Sequence, residues 1–81
     1  MKEKEELLKN IDRLHTTELG EMRIKRNLSI DVGDVILWCM NCIKEEDNRV
    51  TKRGKNWYVY VEGCVFTINT KSYTVITAHK G

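Results

Sequence analysis

The chain has 81 residues, with 14 basic and 12 acidic side chains, a net charge of +2, an apolar share of 41% and a charged share of 32%. That is the balance of one small soluble globular domain, not of a histone-like polycation. A chain this short buries only about 60 to 65% of its unfolded surface, so its core is thin. A deep ligand cavity is disfavoured, and any site is expected to be a shallow groove that suits a large partner such as RNA or protein.

Leu7, Leu8, Ile11 and Leu14 fall at helical spacing in a charged background and predict an amphipathic first helix over about 3–14. Leu19 and Met22 begin a second, with Thr16 or Thr17 as its N-cap, Glu18 in its first turn, and Arg23 to Arg26 near its C-terminal end, where cations suit the helix dipole. Gly20 weakens this helix by about 1 kcal/mol relative to alanine, which points to a close approach at that position. Ser29 or Asp31 is expected to cap a third helix over about 32–46, because Val32, Val35, Ile36, Cys39 and Ile43 form a continuous stripe.

After Asn48 the period shortens to two. Arg49–Thr51 reads as a short edge strand, Arg53-Gly-Lys-Asn56 as a turn, Trp57–Val61 as a strand, Glu62-Gly63 as a tight turn, Cys64–Asn69 as a strand, Thr70–Ser72 as a turn and Tyr73–His79 as the last strand. Short turns between sequential strands imply an antiparallel meander. The expected fold is therefore α+β and one domain over 1–81: two to three N-terminal helices packed on one face of a three- to four-stranded antiparallel sheet. On the Trp57 strand, Trp57, Val59 and Val61 are expected to face the helices, and Tyr58, Tyr60 and Glu62 to face out. On the last strand, strict alternation puts Tyr73, Val75, Thr77 and His79 on one face and Thr74, Ile76 and Ala78 on the other.

No apolar run approaches the ~20 residues that span a bilayer, so no membrane partner is expected. The Lys/Glu-rich start carries no apolar signal core. Three cysteines cannot all pair internally, and they imply free, mostly buried thiols in a reducing cytoplasm.

The chemistry-bearing residues are few. His15 and His79 lie near the two ends of the chain, each beside hydroxyls and basic residues. An imidazole with an ordinary pKa of about 6.5 suits proton transfer near neutrality, although either ring can instead serve a helix junction or a solvated strand end. Glu18 is an alternative base, but more simply a partner of the helix dipole. Cys39-Met-Asn-Cys42 has the spacing of a zinc pair. It sits inside the third helix, however, where Cys39 belongs to the core stripe, so no metal and no cofactor is expected. Tyr58 and Tyr60, with Arg26, Lys52, Arg53 and Lys55, form an aromatic-basic mixture of the kind that stacks and holds single-stranded RNA. An open tyrosine-bearing sheet face could equally form a homodimer.

Leu14-His-Thr-Thr-Glu-Leu-Gly20, Arg23-Ile-Lys-Arg-Asn-Leu-Ser29, Gly54-Lys-Asn-Trp-Tyr-Val59 and Ser72-Tyr-Thr-Val-Ile-Thr-Ala-His79 together resemble a small bacterial family, domain-of-unknown-function family 3781, over nearly the whole chain beyond the first helix. The resemblance implies a bacterial protein and supplies no activity. In layout the chain is also similar, more distantly, to the compact barnase-like, colicin-like and RelE-like ribonucleases. That likeness implies metal-free RNA cleavage, with His15 as base or acid, Arg23 stabilising the phosphorane, Thr77 and His79 positioning the phosphate, and an antitoxin-like protein as a candidate partner. It requires the four side chains to converge within about 10 Å, so that each reaches one phosphate. A non-enzymatic RNA- or protein-binding module instead requires scattered histidines and a continuous outward tyrosine and basic surface.

Overall fold

A computed structural model describes residues 2–45, 48–61 and 63–80. The first helix, α1, covers Lys2–Lys9 and is shorter than the expected 3–14. Asn10 ends it: its side-chain amide donates to the Glu6 carbonyl at 3.2 Å, the local competition with backbone bonding that makes asparagine a helix terminator. A single 3-10 turn, Ile11–Arg13, then delivers Leu14 to the core.

Helix α2 spans Glu18–Leu28, and Thr17 is its N-cap, with its hydroxyl accepting from the Gly20 amide at 3.0 Å. The helix stops at Ser29, whose left-handed backbone (φ 54) closes the last turn onto the Lys25 and Arg26 carbonyls. Ser29 is thus a C-cap and not the start of the third helix. Asp34 caps that helix, accepting from the Leu37 amide at 3.0 Å, and α3 runs over Val35–Lys44. Its C-terminal carbonyls are tied off by Asn48, whose amide donates to Cys42, Ile43 and Glu45. The expected end of this helix at Glu46 lies outside the described residues.

Four strands follow: β1 Arg49–Arg53, β2 Asn56–Val61, β3 Cys64–Asn69 and β4 Val75–Lys80, an antiparallel meander in the order β1-β2-β3-β4. Helices precede strands, as an α+β fold requires. The β1–β2 hairpin closes through Gly54 and Lys55, with Gly54 at φ 58, a conformation suited to glycine.

One core joins the layers: Leu7, Leu14, Ile24, Leu28, Val35, Cys39 and Ile43 from the helical half, and Val50, Trp57, Val59, Phe66, Ile68, Val75 and Ala78 from the sheet. The Trp38 ring meets Phe66 edge-on at 5.8 Å between centroids. Trp57 and Val59 are fully buried, as the alternation of β2 predicts. The expected turn at Glu62, and that side chain's outward direction, lie outside the described residues.

The strict alternation expected of the last strand does not hold. Tyr73 is in the left-handed region (φ 60) and precedes the strand rather than opening it. A register shift then sets Val75 opposite Ile68 and Thr77 opposite Thr67, so that Ile76 is an extra residue in β4. Such a bulge resets the face of every later side chain. Val75 and Ala78 are therefore both buried, while Thr77 and His79 fall on the other face, where the Thr77 hydroxyl at the strand edge still accepts from Asn27 of α2 at 3.5 Å and His79 is exposed.

Candidate nucleic-acid interface

The helices pack on one face of the sheet and leave the other open. The register fixes its composition. One cross-strand row reads Arg49, Tyr60, Val65, His79, and the next reads Thr51, Tyr58, Thr67, Thr77. Strands stand about 4.8 Å apart, so each row is about 14 Å long. Tyr58 and Tyr60 are two residues apart on one strand and therefore about 7 Å apart on the same face. Tyr60 is 42% exposed, while Val65, between Tyr60 and His79 in its row, is only 9% exposed.

Charge separates in the same way. Up to Asp47 the chain carries eight basic and eleven acidic residues; from Asn48 onward it carries six basic and one acidic. The four strands contain no Asp or Glu, and they contribute Arg49, Lys52, Arg53 and Lys80. Further cations gather at the turn end. Lys55 lies in the β1–β2 turn, which is joined to the β3–β4 turn by Thr70, whose amide and hydroxyl both donate to the Lys55 carbonyl at 2.9 and 3.1 Å. Lys71 lies in that second turn, and Arg13 donates to its carbonyl at 3.2 Å while its guanidinium lies 4.5 Å over the Tyr73 ring.

A family model described as "Protein of unknown function (DUF3781)" matches residues 8–79. The chain belongs to this family. In this DUF3781 chain the match takes in every strand of the open face and both histidines. Comparison with curated proteins and with solved structures gives no significant match.

The expected ribonuclease constellation does not assemble around one phosphate. His15 forms a parallel bridge with Thr74 at the start of β4, and His79 lies five residues further along. At about 3.3 Å per residue the two are about 15 Å apart, beyond the distance at which both could reach one phosphate. Arg23 is exposed on α2, grouped with Leu19, Met22, Lys25 and Arg26, on the helix side opposite the buried Gly20, Ile24 and Leu28. Of the four, only Thr77 and His79 share a surface.

The His15 ring has structural partners at both nitrogens. Nδ1 lies 2.9 Å from the Arg13 carbonyl, which can only accept, so Nδ1 carries the proton. Nε2 lies 3.0 Å from the Thr74 hydroxyl, and the chain continues through Ser72, 2.8 Å from Thr74, to the Asn69 side-chain oxygen at 3.2 Å. The backbone adds two bonds, His15 N–H to the Tyr73 carbonyl at 3.1 Å and Val75 N–H to the His15 carbonyl at 2.8 Å. With Thr16 donating to the Val75 carbonyl at 2.8 Å and Asn27 donating to the Ala78 carbonyl at 3.1 Å, this segment covers the free edge of β4, where unpaired backbone groups would otherwise invite another strand.

Among the residues expected to hold RNA, Arg53, Tyr58 and Tyr60 share the open face. Lys52 pairs with Trp57 and so projects on the helix side of an edge strand, Lys55 sits in the adjoining turn, and Arg26 is on the far side of α2. Thr51 and Thr67 also belong to the face, as does Arg49, which stands in the same basic run of the sequence as Lys52, Arg53 and Lys55 but was not expected beside the tyrosines. The charge split between the two halves and the cross-strand register of Tyr60 would have found them. The cysteines are unpaired, and among the described residues no group of three or more His, Cys, Asp or Glu side chains is placed to hold a metal. Among those residues, too, no helix is long and apolar enough to cross a membrane.

Proposed function

We propose that this domain binds single-stranded RNA on its open sheet face without cleaving it. The observation that carries the reading is a sheet whose strands hold no acid and whose uncovered face places Tyr58 and Tyr60 side by side between Arg49 and Arg53 on one flank and Thr77 and His79 on the other. Stacking on an exposed aromatic contributes about 1–3 kcal/mol per base regardless of sequence, and arginines at the rim attract phosphates. A face about 14 Å wide accommodates the two or three bases that such sheets stack. Three unpaired cysteines support a cytoplasmic, reducing setting for this activity.

Fluorescence anisotropy with a short labelled oligoribonucleotide tests the reading. Binding should weaken steeply as salt rises, and Tyr60→Ala should weaken it by about tenfold, corresponding to one lost stack. His15→Ala, which lies off the face, should leave affinity unchanged, and gel analysis should show intact RNA. Binding insensitive to both salt and the tyrosines would overturn the assignment, and RNA cleavage lost in His15→Ala would return the domain to the ribonucleases.

A further inference from the structure

The outward side of α2 is more apolar than a solvent-facing helix surface requires. Leu19 and Met22 are 57% and 66% exposed. Arg23 and Arg26 complete the i, i+3, i+4, i+7 stripe, directly opposite the side that packs on the core. Charge is ordered along this helix: Glu18 and Glu21 occupy the first turn, and Lys25 and Arg26 the last. Glu21 and Lys25 pair with each other at 3.5 Å. Among the described residues Glu18, Arg23 and Arg26 make no ion pair.

We propose that α2 is a dimerisation helix that packs antiparallel against the α2 of a second copy of this chain. The order of charges selects both the occupant and the direction. With the two-fold axis beside Met22, Glu18 faces the Arg26 of the second copy, while Leu19 and Met22 from both copies fill the centre; Glu21, about 200° round the helix from Arg23, stays paired with Lys25 on the flank. A parallel arrangement would set Glu18 on Glu18 and Arg26 on Arg26. Antiparallel packing also opposes the two helix dipoles, and a two-fold interface must be self-complementary in this way. The open sheet face is not used, so dimerisation and RNA binding are independent properties. A contact of one helix about 16 Å long falls at the small end of specific interfaces, and a dissociation constant between about 10 μM and 1 mM is expected.

Sedimentation equilibrium from about 10 μM to 1 mM, the same range, tests this with three variants at exposed positions, each checked for native circular dichroism. The unmodified chain should dimerise. Glu18→Lys and Arg26→Glu should each weaken association at least tenfold, because each places like charges across the axis. An equimolar mixture of the two should recover it, since the lysine introduced in one variant then meets the glutamate introduced in the other. Met22→Ala, which changes no charge, should also weaken association. A chain that stays monomeric throughout the range, a mixture that fails to associate, or a dimer lost only on Tyr60→Ala would overturn the proposal. Binding of an acidic amphipathic peptide to this stripe by a monomeric chain would overturn it as well, by naming a different occupant.

Discussion

Gly20 shows how one residue can be fixed against its own propensity. A Cβ at this position would collide with the Thr16 hydroxyl oxygen, and that hydroxyl is held by its bond to the Val75 carbonyl on the edge of β4. Gly20→Ala should therefore destabilise the fold by about 1–2 kcal/mol, because Thr16 must turn away and leave that carbonyl unpaired. In a Thr16→Ala background that collision disappears and only the tighter contact with the Thr17 hydroxyl at 3.3 Å remains, so the same substitution should cost less, helix propensity offsetting up to about 1 kcal/mol. Urea unfolding of the four chains would show this coupling between the two positions. Cys39 makes a second residue-scale case. Burial, followed by the neighbouring Cys42 and Cys64, pushes its thiol up to about 12 from an ordinary value of 9.0. The folded state thus holds this proton more tightly than the unfolded chain does. Its contribution to stability is complete below pH 9 and is lost as pH rises from 9 towards 12. Cys39→Ala, although less stable overall, should show a shallower alkaline fall in stability, measured by urea midpoints in buffers across that window.

At the scale of elements, β4 was the least legible part of the chain. Its composition announced a strand, but alternation alone could not reveal that Tyr73 takes a left-handed backbone or that Ile76 is inserted as a bulge. Both follow from tertiary demands. The Tyr73 ring is 3% exposed and lies edge-on to Trp57 at 5.1 Å, while its amide donates to the Asn69 carbonyl at 3.0 Å and its carbonyl accepts from His15. Those contacts hold a bulky residue in a backbone region that costs about 1 kcal/mol or more. Tyr73→Ala should consequently cost about 3–4 kcal/mol, read as a lowered thermal midpoint, and Tyr73→Phe far less. Helix boundaries were legible where caps are chemically distinct, as at Thr17, and misread where two cap-forming residues lay close together. Ser29 closes α2, and Asp34 opens α3 only five residues later.

At the scale of the molecule, the order of helices and strands, the core stripe of α3 and the outward direction of Tyr58 and Tyr60 were all readable from periodicity, because each depends on a local pattern. The surroundings of the candidate residues were only half readable. Alternation places Thr77 and His79 on one strand face, and the register keeps them there, but whether either comes near His15 or Arg23 depends on where α2 and the His15 segment lie beside β4, and sequence spacing carries no such information. The property that emerges only in three dimensions is the coincidence of charge and layer. Eleven of the twelve acids precede Asn48, in the helical half of the sequence, and the uncovered face of the sheet carries tyrosines, hydroxyls and cations around Val65. The most direct test of that coincidence is a nitrogen-15 NMR titration of the domain with a short single-stranded RNA. The expected result is a set of shifting amides confined to Arg49, Thr51, Tyr58, Tyr60, Thr67, Thr77 and His79 and their strand neighbours. Shifts concentrated on α2 or around His15, or no shifts at saturating RNA, would contradict the account.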